Sequence, residues 1–165
     1  MFRRTSLAIS TLIAHSLLAA SLRAQAPVEK VHLVFVGGPN AGTYEAVGTR
    51  AGCSANATGP GSFGNQLSDP KGAPNKFNSL QLIVPDAKKA ATGTSEFQVI
   101  FGFGPLMHRT KEYTVNTLPE TKKKVGSGTV KVTQSGASAT IDIAAVTADG
   151  VKINGTINCL TVTRM

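Results

Sequence analysis

Residues 137–162 read ASATIDIAAVTADGVKINGTINCLTV, and this stretch decides the fold class. Apolar residues alternate with small or polar ones in both halves, which places them on one face of an extended strand. Asp149-Gly150 lies between the halves and indicates a hairpin turn, because both residues tolerate the positive φ of tight two-residue turns. The stretch predicts two paired antiparallel strands whose buried faces carry Ala139, Ile141 and Ile143 in the first strand and Val151, Ile153, Ile157 and Cys159 in the second.

Short runs with the same character occur throughout the chain after residue 30. Phe97, Val99, Phe101 and Phe103, for example, share one face of their run. Clusters of Gly, Pro, Asn and Asp separate the runs, as expected for turns between strands. The further predicted strands are residues 31–36, 42–49, 77–84, 95–103, 111–115 and 128–135. Together with the two strands above they make eight, and residues 61–68 are a weaker ninth candidate.

Residues 85–93 are the one helix candidate. Pro85 suits a first helical position, Asp86 suits the positive end of the helix dipole, and Gly93 can end the helix. Many short strands with so little helix predict an all-β fold, a single-domain antiparallel β-sandwich or barrel of about eight to nine strands with at most one short helix.

The N-terminal residues 1–26 have the layout of a secretory signal peptide. Arg3 and Arg4 precede an apolar run, and small residues follow it, so that cleavage is expected after Ala24 or Ala26. A membrane anchor is the alternative, but this run is shorter than the roughly 20 apolar residues that a span needs. Residues 27–165 are therefore predicted to form one exported domain, periplasmic or extracellular, with no transmembrane span.

The net charge bears on nucleic-acid binding, and the cysteine content bears on disulfide formation. Removing Arg3, Arg4 and Arg23 from the 17 basic residues leaves 14 against nine acidic ones, a net charge of +5, which is too weak to indicate nucleic-acid binding. Two cysteines in an exported chain predict one disulfide between Cys53 and Cys159, with two buried free thiols as the alternative.

The segment VFVGGPNAGTYEA, residues 34–46, has two glycines at the spacing of a phosphate-binding loop. Thr43 occupies the position of the lysine that such a loop requires, and a strand pattern follows where a helix should begin. The segment therefore predicts a turn between two strands, since Gly, Pro and Asn all favour turn conformations.

Candidate catalytic residues are few. His32 lies in an apolar strand and is expected to be a half-buried, hydrogen-bonded histidine. Two histidines at unrelated positions do not supply a usual metal-ligand set, so no metal and no cofactor are expected. His108 and Arg109, in a predicted loop, are the candidates for a small secreted enzyme's site.

Lys122, Lys123 and Lys124 form the densest charge feature of the mature chain. They are the candidate contact for an anionic envelope component, although a solvated loop explains them as well. The sequence thus predicts an exported, non-catalytic binding or structural module whose partner is such a component or another protein. The alternative is the enzyme with a site around His108 and Arg109.

Overall fold

The computed structural model describes residues 25–50, 52–69 and 73–165. These residues form eleven strands and one helix: β1 Glu29–Val36, β2 Gly42–Gly48, β3 Gly52–Ala55, β4 Phe63–Ser68, β5 Phe77–Val84, α1 Ala87–Ala90, β6 Gln98–Phe103, β7 Lys111–Asn116, β8 Ser127–Ser135, β9 Ser138–Val146, β10 Lys152–Cys159 and β11 Val162–Arg164.

The strands form two sheets that pack face to face. One sheet has the order β2-β1-β10-β9-β8, and the other has the order β11-β3-β4-β5-β6-β7. All pairs are antiparallel except β11 with β3, which is parallel. The predicted all-β sandwich is confirmed, and the weaker ninth candidate is the strand β4.

The strand count of eight to nine was too low, for two reasons. The strand β3 has only four residues, GCSA, none of them β-branched or aromatic, and it begins at Gly52 with a φ of +87°. The predicted last strand is in fact two, because the chain leaves one sheet after Cys159 and enters the other at Val162. Periodicity reports the face of a residue but not the sheet to which it belongs.

The core lies between the sheets and follows the alternation of the sequence. The predicted inward residues of β6, β9 and β10 are all buried, as are Val31, Leu33 and Phe35 of β1. The opposite face of β1 is more open than its apolar sequence suggests, since Val36 is 53% exposed. A sandwich covers only one face of each sheet, so the outward residues remain at the surface.

The hairpin of β9 and β10 is confirmed, with a longer connection than the predicted two-residue turn. Val146 pairs with Lys152, which leaves residues 147–151 as the connection, and Gly150 has a φ of +84°. The Thr147 hydroxyl donates a hydrogen bond to Asp149 and lowers the pKa of that carboxyl. This hydrogen bond links the first and third residues of the connection.

The helix α1 is a single turn. Asp86 is its N-cap residue and accepts hydrogen bonds from the backbone N–H groups of Lys88 and Lys89. Pro85 was expected to be the first helical residue, but it lies before the N-cap and outside the helix. Aspartate is favoured at the N-cap because its side chain satisfies the free N–H groups at a helix start.

Six aromatic side chains close one end of the sandwich. Phe35 is at their centre, with its ring centroid 5.3 to 5.6 Å from those of Tyr44, Phe101, Phe103 and Tyr113, and Phe77 completes the cluster against Tyr44 and Phe103. Most pairs are edge-to-face, the geometry that aromatic quadrupoles favour. The buried Asn40 receives a hydrogen bond from each tyrosine hydroxyl.

A disulfide between Cys53 and Cys159 ties the two sheets together at the other end of β1. Cys159 pairs with Glu29, the first residue of β1, whereas the aromatic cluster surrounds Phe35 near its last residue. Both cysteines are buried. The predicted bridge is therefore present, and it lies in the core.

The predicted signal peptide, residues 1–26, lies outside the described residues except for its last two. Within the described ranges, no helix has the length and apolar character needed to cross a membrane.

Replacing both cysteines by alanine should destabilise the protein strongly. The bridge joins residues 106 positions apart, and constraining a loop of that length accounts for up to about 4 to 5 kcal/mol of unfolding free energy in the chain-entropy description. Urea unfolding followed by circular dichroism measures the change, with the reduced parent protein as the matched control. Equal midpoints for the oxidised parent and the variant would contradict this prediction.

Candidate functional site

The outward face of the six-stranded sheet is polar and almost uncharged. Its residues form rows across neighbouring strands, and one row joins Gly52, Gln66, Gln81, Ile100 and Thr114. Gln66 and Gln81 are direct cross-strand neighbours in the middle of the face, and both are exposed. Because an amide carries both donors and acceptors, this pair can bind a ligand that offers either.

Two hollows lie on this face. The larger hollow, about 340 Å³, lies over Gly64, and the residues that form it include Ser54, Thr58, Gln66, Gln81, Ile83 and Thr163. Within the described ranges, no charged side chain lines this hollow. We call it, together with the smaller hollow described below, the amide groove.

The turn between β3 and β4 forms one wall of the amide groove. Ala57 lies so close above Gly64 that a Cβ on this glycine would be 2.7 Å from the Ala57 Cβ. Asn56 and Ser62 fix the turn, since the Asn56 side chain accepts from the Gly61 N–H and the Ser62 hydroxyl accepts from the Thr58 N–H. The wall is therefore held by hydrogen bonds of its own.

A smaller hollow of about 70 Å³ continues the groove past Gln66 and Gln81. The loop between β6 and β7 bounds it, with Leu106 and Arg109 folding over the sheet. The hydroxyl of Ser79 lies at its floor, fully covered, and has no hydrogen-bond partner among the described residues. A buried hydroxyl without a partner is unfavourable, and because this oxygen is fully covered a ligand in the hollow does not reach it.

Arg109 is positioned by the absence of a side chain at Gly102. A Cβ on Gly102 would overlap the Ser79 hydroxyl and lie 3.0 Å from Arg109 Nε. The guanidinium forms an ion pair with Glu112, so the two charges at this end of the groove neutralise each other. The side chains of Arg109 and Glu112 are 33% and 42% exposed, and such a pair adds little to stability.

The structure brings Arg109 and Glu112 together but does not add His108 to them. The His108 backbone N–H donates to Pro105, while its exposed imidazole makes no hydrogen bond or ion pair with any residue that the structure describes. His32 is also exposed rather than half-buried, and its Nδ1 lies 3.5 Å from a carboxylate oxygen of Glu45.

Lys122, Lys123 and Lys124 lie in the connection between β7 and β8. All three are exposed, and none pairs with a carboxylate in the described part of the chain. The bridge between Asn116 and Val125 holds the base of this connection. The lysines are thus available to solvent on a short, anchored loop.

Two other kinds of site were considered from the sequence, a phosphate-binding loop after β1 and a metal site. The segment after β1 is a turn into the antiparallel strand β2, as the sequence predicts, so no helix N-terminus faces its glycines. Across residues 25–50, 52–69 and 73–165, no three His, Cys, Asp or Glu side chains come together in a group that could hold a metal ion.

Comparison with protein-family models, with curated proteins and with solved structures found no match to this chain.

Arg109 could be recognised as a candidate from the sequence, but the amide groove could not. Gln66 and Gln81 are 15 positions apart, and only the register of β4 with β5 makes them neighbours. One signal was available: small or polar residues at the outward positions of two predicted strands leave a face that packing does not fill.

Changing Gly102 to alanine should displace Arg109 and destabilise the protein by about 1 to 3 kcal/mol, the usual cost of forcing a methyl group into a filled space. Changing Ser79 to alanine in the same protein removes the nearest obstructing atom and should recover part of the loss. Urea midpoints of both single variants and the double variant measure this coupling. Strictly additive effects would show that Gly102 is not needed for the contact.

Proposed function

We propose that this protein is an exported, non-catalytic binding module, and that the amide groove binds an extended, uncharged segment of another protein. The observation that carries the proposal is the groove itself, a concave surface whose larger hollow has no charged side chain among the described residues, on a chain of positive net charge. Uncharged surroundings favour an uncharged ligand, because a buried charge without a partner is costly.

A polypeptide segment matches the chemistry of the groove. An extended backbone offers N–H and C=O groups that need partners when they leave water, and the amides of Gln66 and Gln81 supply both kinds. Leu106 and Met165, 36% and 77% exposed, lie at opposite ends of the groove and give aliphatic side chains a surface to contact. Sugar clefts are usually lined with aromatic rings, and in the part of the chain that the structure describes no aromatic residue lines either hollow.

Two features support export. The disulfide is of a kind that persists in oxidising compartments outside the cytosol. The sequence of residues 1–26 has the order of charged, apolar and small residues that export signals share. The compartment we propose is therefore the periplasm, the envelope or the medium.

The groove variant Gln66→Val with Gln81→Val should lose binding of uncharged peptides by about tenfold or more, because at least two hydrogen bonds of about 1 kcal/mol each are removed. The probe is a random twelve-residue peptide library, selected on immobilised protein lacking residues 1–26. We expect uncharged, aliphatic peptides to be enriched, and their affinities to be measured by fluorescence anisotropy. Valine keeps the strand preference at both exposed positions.

The matched control is Lys122→Gln with Lys123→Gln and Lys124→Gln, which should bind the selected peptides like the parent. Peptides that bind the groove variant and the parent equally would overturn the groove as the site. If neutral oligosaccharides, and not peptides, shift the amide NMR signals of Gln66 and Gln81, the ligand class is wrong. Selected peptides that are hydrolysed by the parent but not by a His108→Ala variant would favour the enzyme.

A second contact, with an anionic envelope polymer, is favoured by the exposure of Lys122, Lys123 and Lys124 without carboxylate partners in the described ranges. Three adjacent ammonium groups attract polyanions weakly, and salt screens them beyond about 8 to 10 Å. The parent should be retained on an anionic polymer column at low salt and released at moderate salt. Equal retention of the triple Gln variant would leave the lysines with no role in binding.

A further inference from the structure

Glu29 and Asn65 meet in the core between the two sheets, beside the disulfide. Glu29 is the first residue of β1, where its strand neighbours are Gly48 on β2 and Cys159 on β10. Asn65 lies on β4 of the other sheet and pairs with Cys53. Glu29 is fully buried and Asn65 is 3% exposed. A carboxyl group in such a position is rare unless it is paired.

The contact between the two side chains lacks one hydrogen-bond donor. Asn65 Nδ2 donates to Glu29 Oε2 and also lies 3.3 Å from Cys53 Sγ. Glu29 Oε1 and Asn65 Oδ1 are buried and have no hydrogen-bond partner among the described residues. Both are acceptors when the carboxyl is ionised, so the pair as a carboxylate leaves two acceptors without a donor.

No cation compensates for a charge on Glu29 within the described residues. Its cross-strand neighbours Gly48 and Cys159 and its hydrogen-bond partner Asn65 are all uncharged. Lys30 is exposed on the opposite face of β1, and the exposed Arg50 donates to Gln25. Burial therefore raises the pKa of the Glu29 carboxyl to about 7, against the smaller, lowering effect of the Asn65 hydrogen bond.

We propose that Glu29 and Asn65 form a proton-dependent clasp between the sheets, closed by two hydrogen bonds when the carboxyl is protonated and weakened when it loses its proton. The proton on the carboxyl supplies the missing donor to the unpartnered Asn65 carbonyl. On deprotonation the donor is lost and a negative charge remains in the core without a partner, which is strongly unfavourable. This device does not rest on the proposed function, since neither side chain is among those proposed to bind the peptide.

The direction of the pH effect follows from the raised pKa. The unfolded chain loses the Glu29 proton near the ordinary value of 4.5, whereas the folded chain holds it to about 7. The added stability is therefore fully present below about pH 4.5 and is lost as the pH rises through 7. The folding equilibrium constant should fall on the order of a hundredfold across this interval, because each pKa unit is a factor of ten.

The test compares urea unfolding of the parent, Glu29→Gln and Glu120→Gln between pH 4 and pH 8. Glutamine keeps a donor and an acceptor at position 29 and cannot ionise, so this variant should lose the Glu29 part of the pH dependence. Glu120 is exposed, and its variant should follow the parent. The parent and Glu29→Gln share every other ionisable group, so the difference between their two curves isolates Glu29.

Local opening of the clasp has its own readout in the reduction of the disulfide. The rate of reduction by a water-soluble phosphine, taken as the ratio of parent to Glu29→Gln, should be near one at pH 4.5 and clearly higher at pH 8. The ratio removes the pH dependence of the reagent. A merely structural role for Glu29 would give the same ratio at both pH values.

Direct titration covers the case in which Glu29→Gln does not fold. Carbon-13 NMR of the parent should show one glutamate carboxyl with a midpoint near neutral pH. Asn65→Leu removes the Asn65 donor to that carboxyl and should raise the midpoint further, or leave the protein unfolded at pH 8 but folded at pH 4.5. A Glu29 midpoint between pH 4 and pH 5 in the folded parent would overturn the proposal, as would identical pH slopes for the parent and Glu29→Gln.

Discussion

The bond between Cys53 and Cys159 is the constraint on which the arrangement of the two sheets depends. Cys159 is the last residue of β10, which lies in the middle of the five-stranded sheet, and Cys53 lies on β3 of the other sheet. Three residues later the chain pairs Val162 with Cys53 itself, so β11 enters the second sheet at the same point. The disulfide and the parallel pairing of β11 with β3 thus both hold the end of β10 against the second sheet at Cys53.

The two ends of the sandwich are closed by different physical means. At the end marked by Phe35, six aromatic rings fill the space with edge-to-face contacts and need few polar partners. At the disulfide end the core contains a carboxyl, an amide and two sulfurs instead. Gly48 makes room for this group, since a Cβ there would overlap Glu29 Oε1 and lie 2.6 Å from Glu29 Cγ.

The parts of the fold that follow from local alternation could be read from the sequence, and those that depend on distant partners could not. The inward faces of β6, β9 and β10 and the cysteine pairing were correct, because period-two patterning and cysteine number are properties of the chain itself. The strand β3 was missed because Gly52 and three small residues carry no strand preference, and its ladder partners supply the order. Arg109 was identified as a candidate, yet its position over Gly102 depends on the packing of a loop against a distant strand.

The amide groove and the buried clasp share a strand, which makes their geometry interdependent. Asn65 and Gln66 are consecutive residues of β4, so their side chains point to opposite faces of the sheet, one into the core and the other into the groove. Gly64, on the other side of Asn65, forms the floor of the larger hollow. A strand hydrogen-bonded on both sides moves as a unit with its neighbours. The backbone segment that holds Asn65 against Glu29 is therefore the same segment that places Gly64 and Gln66 in the groove.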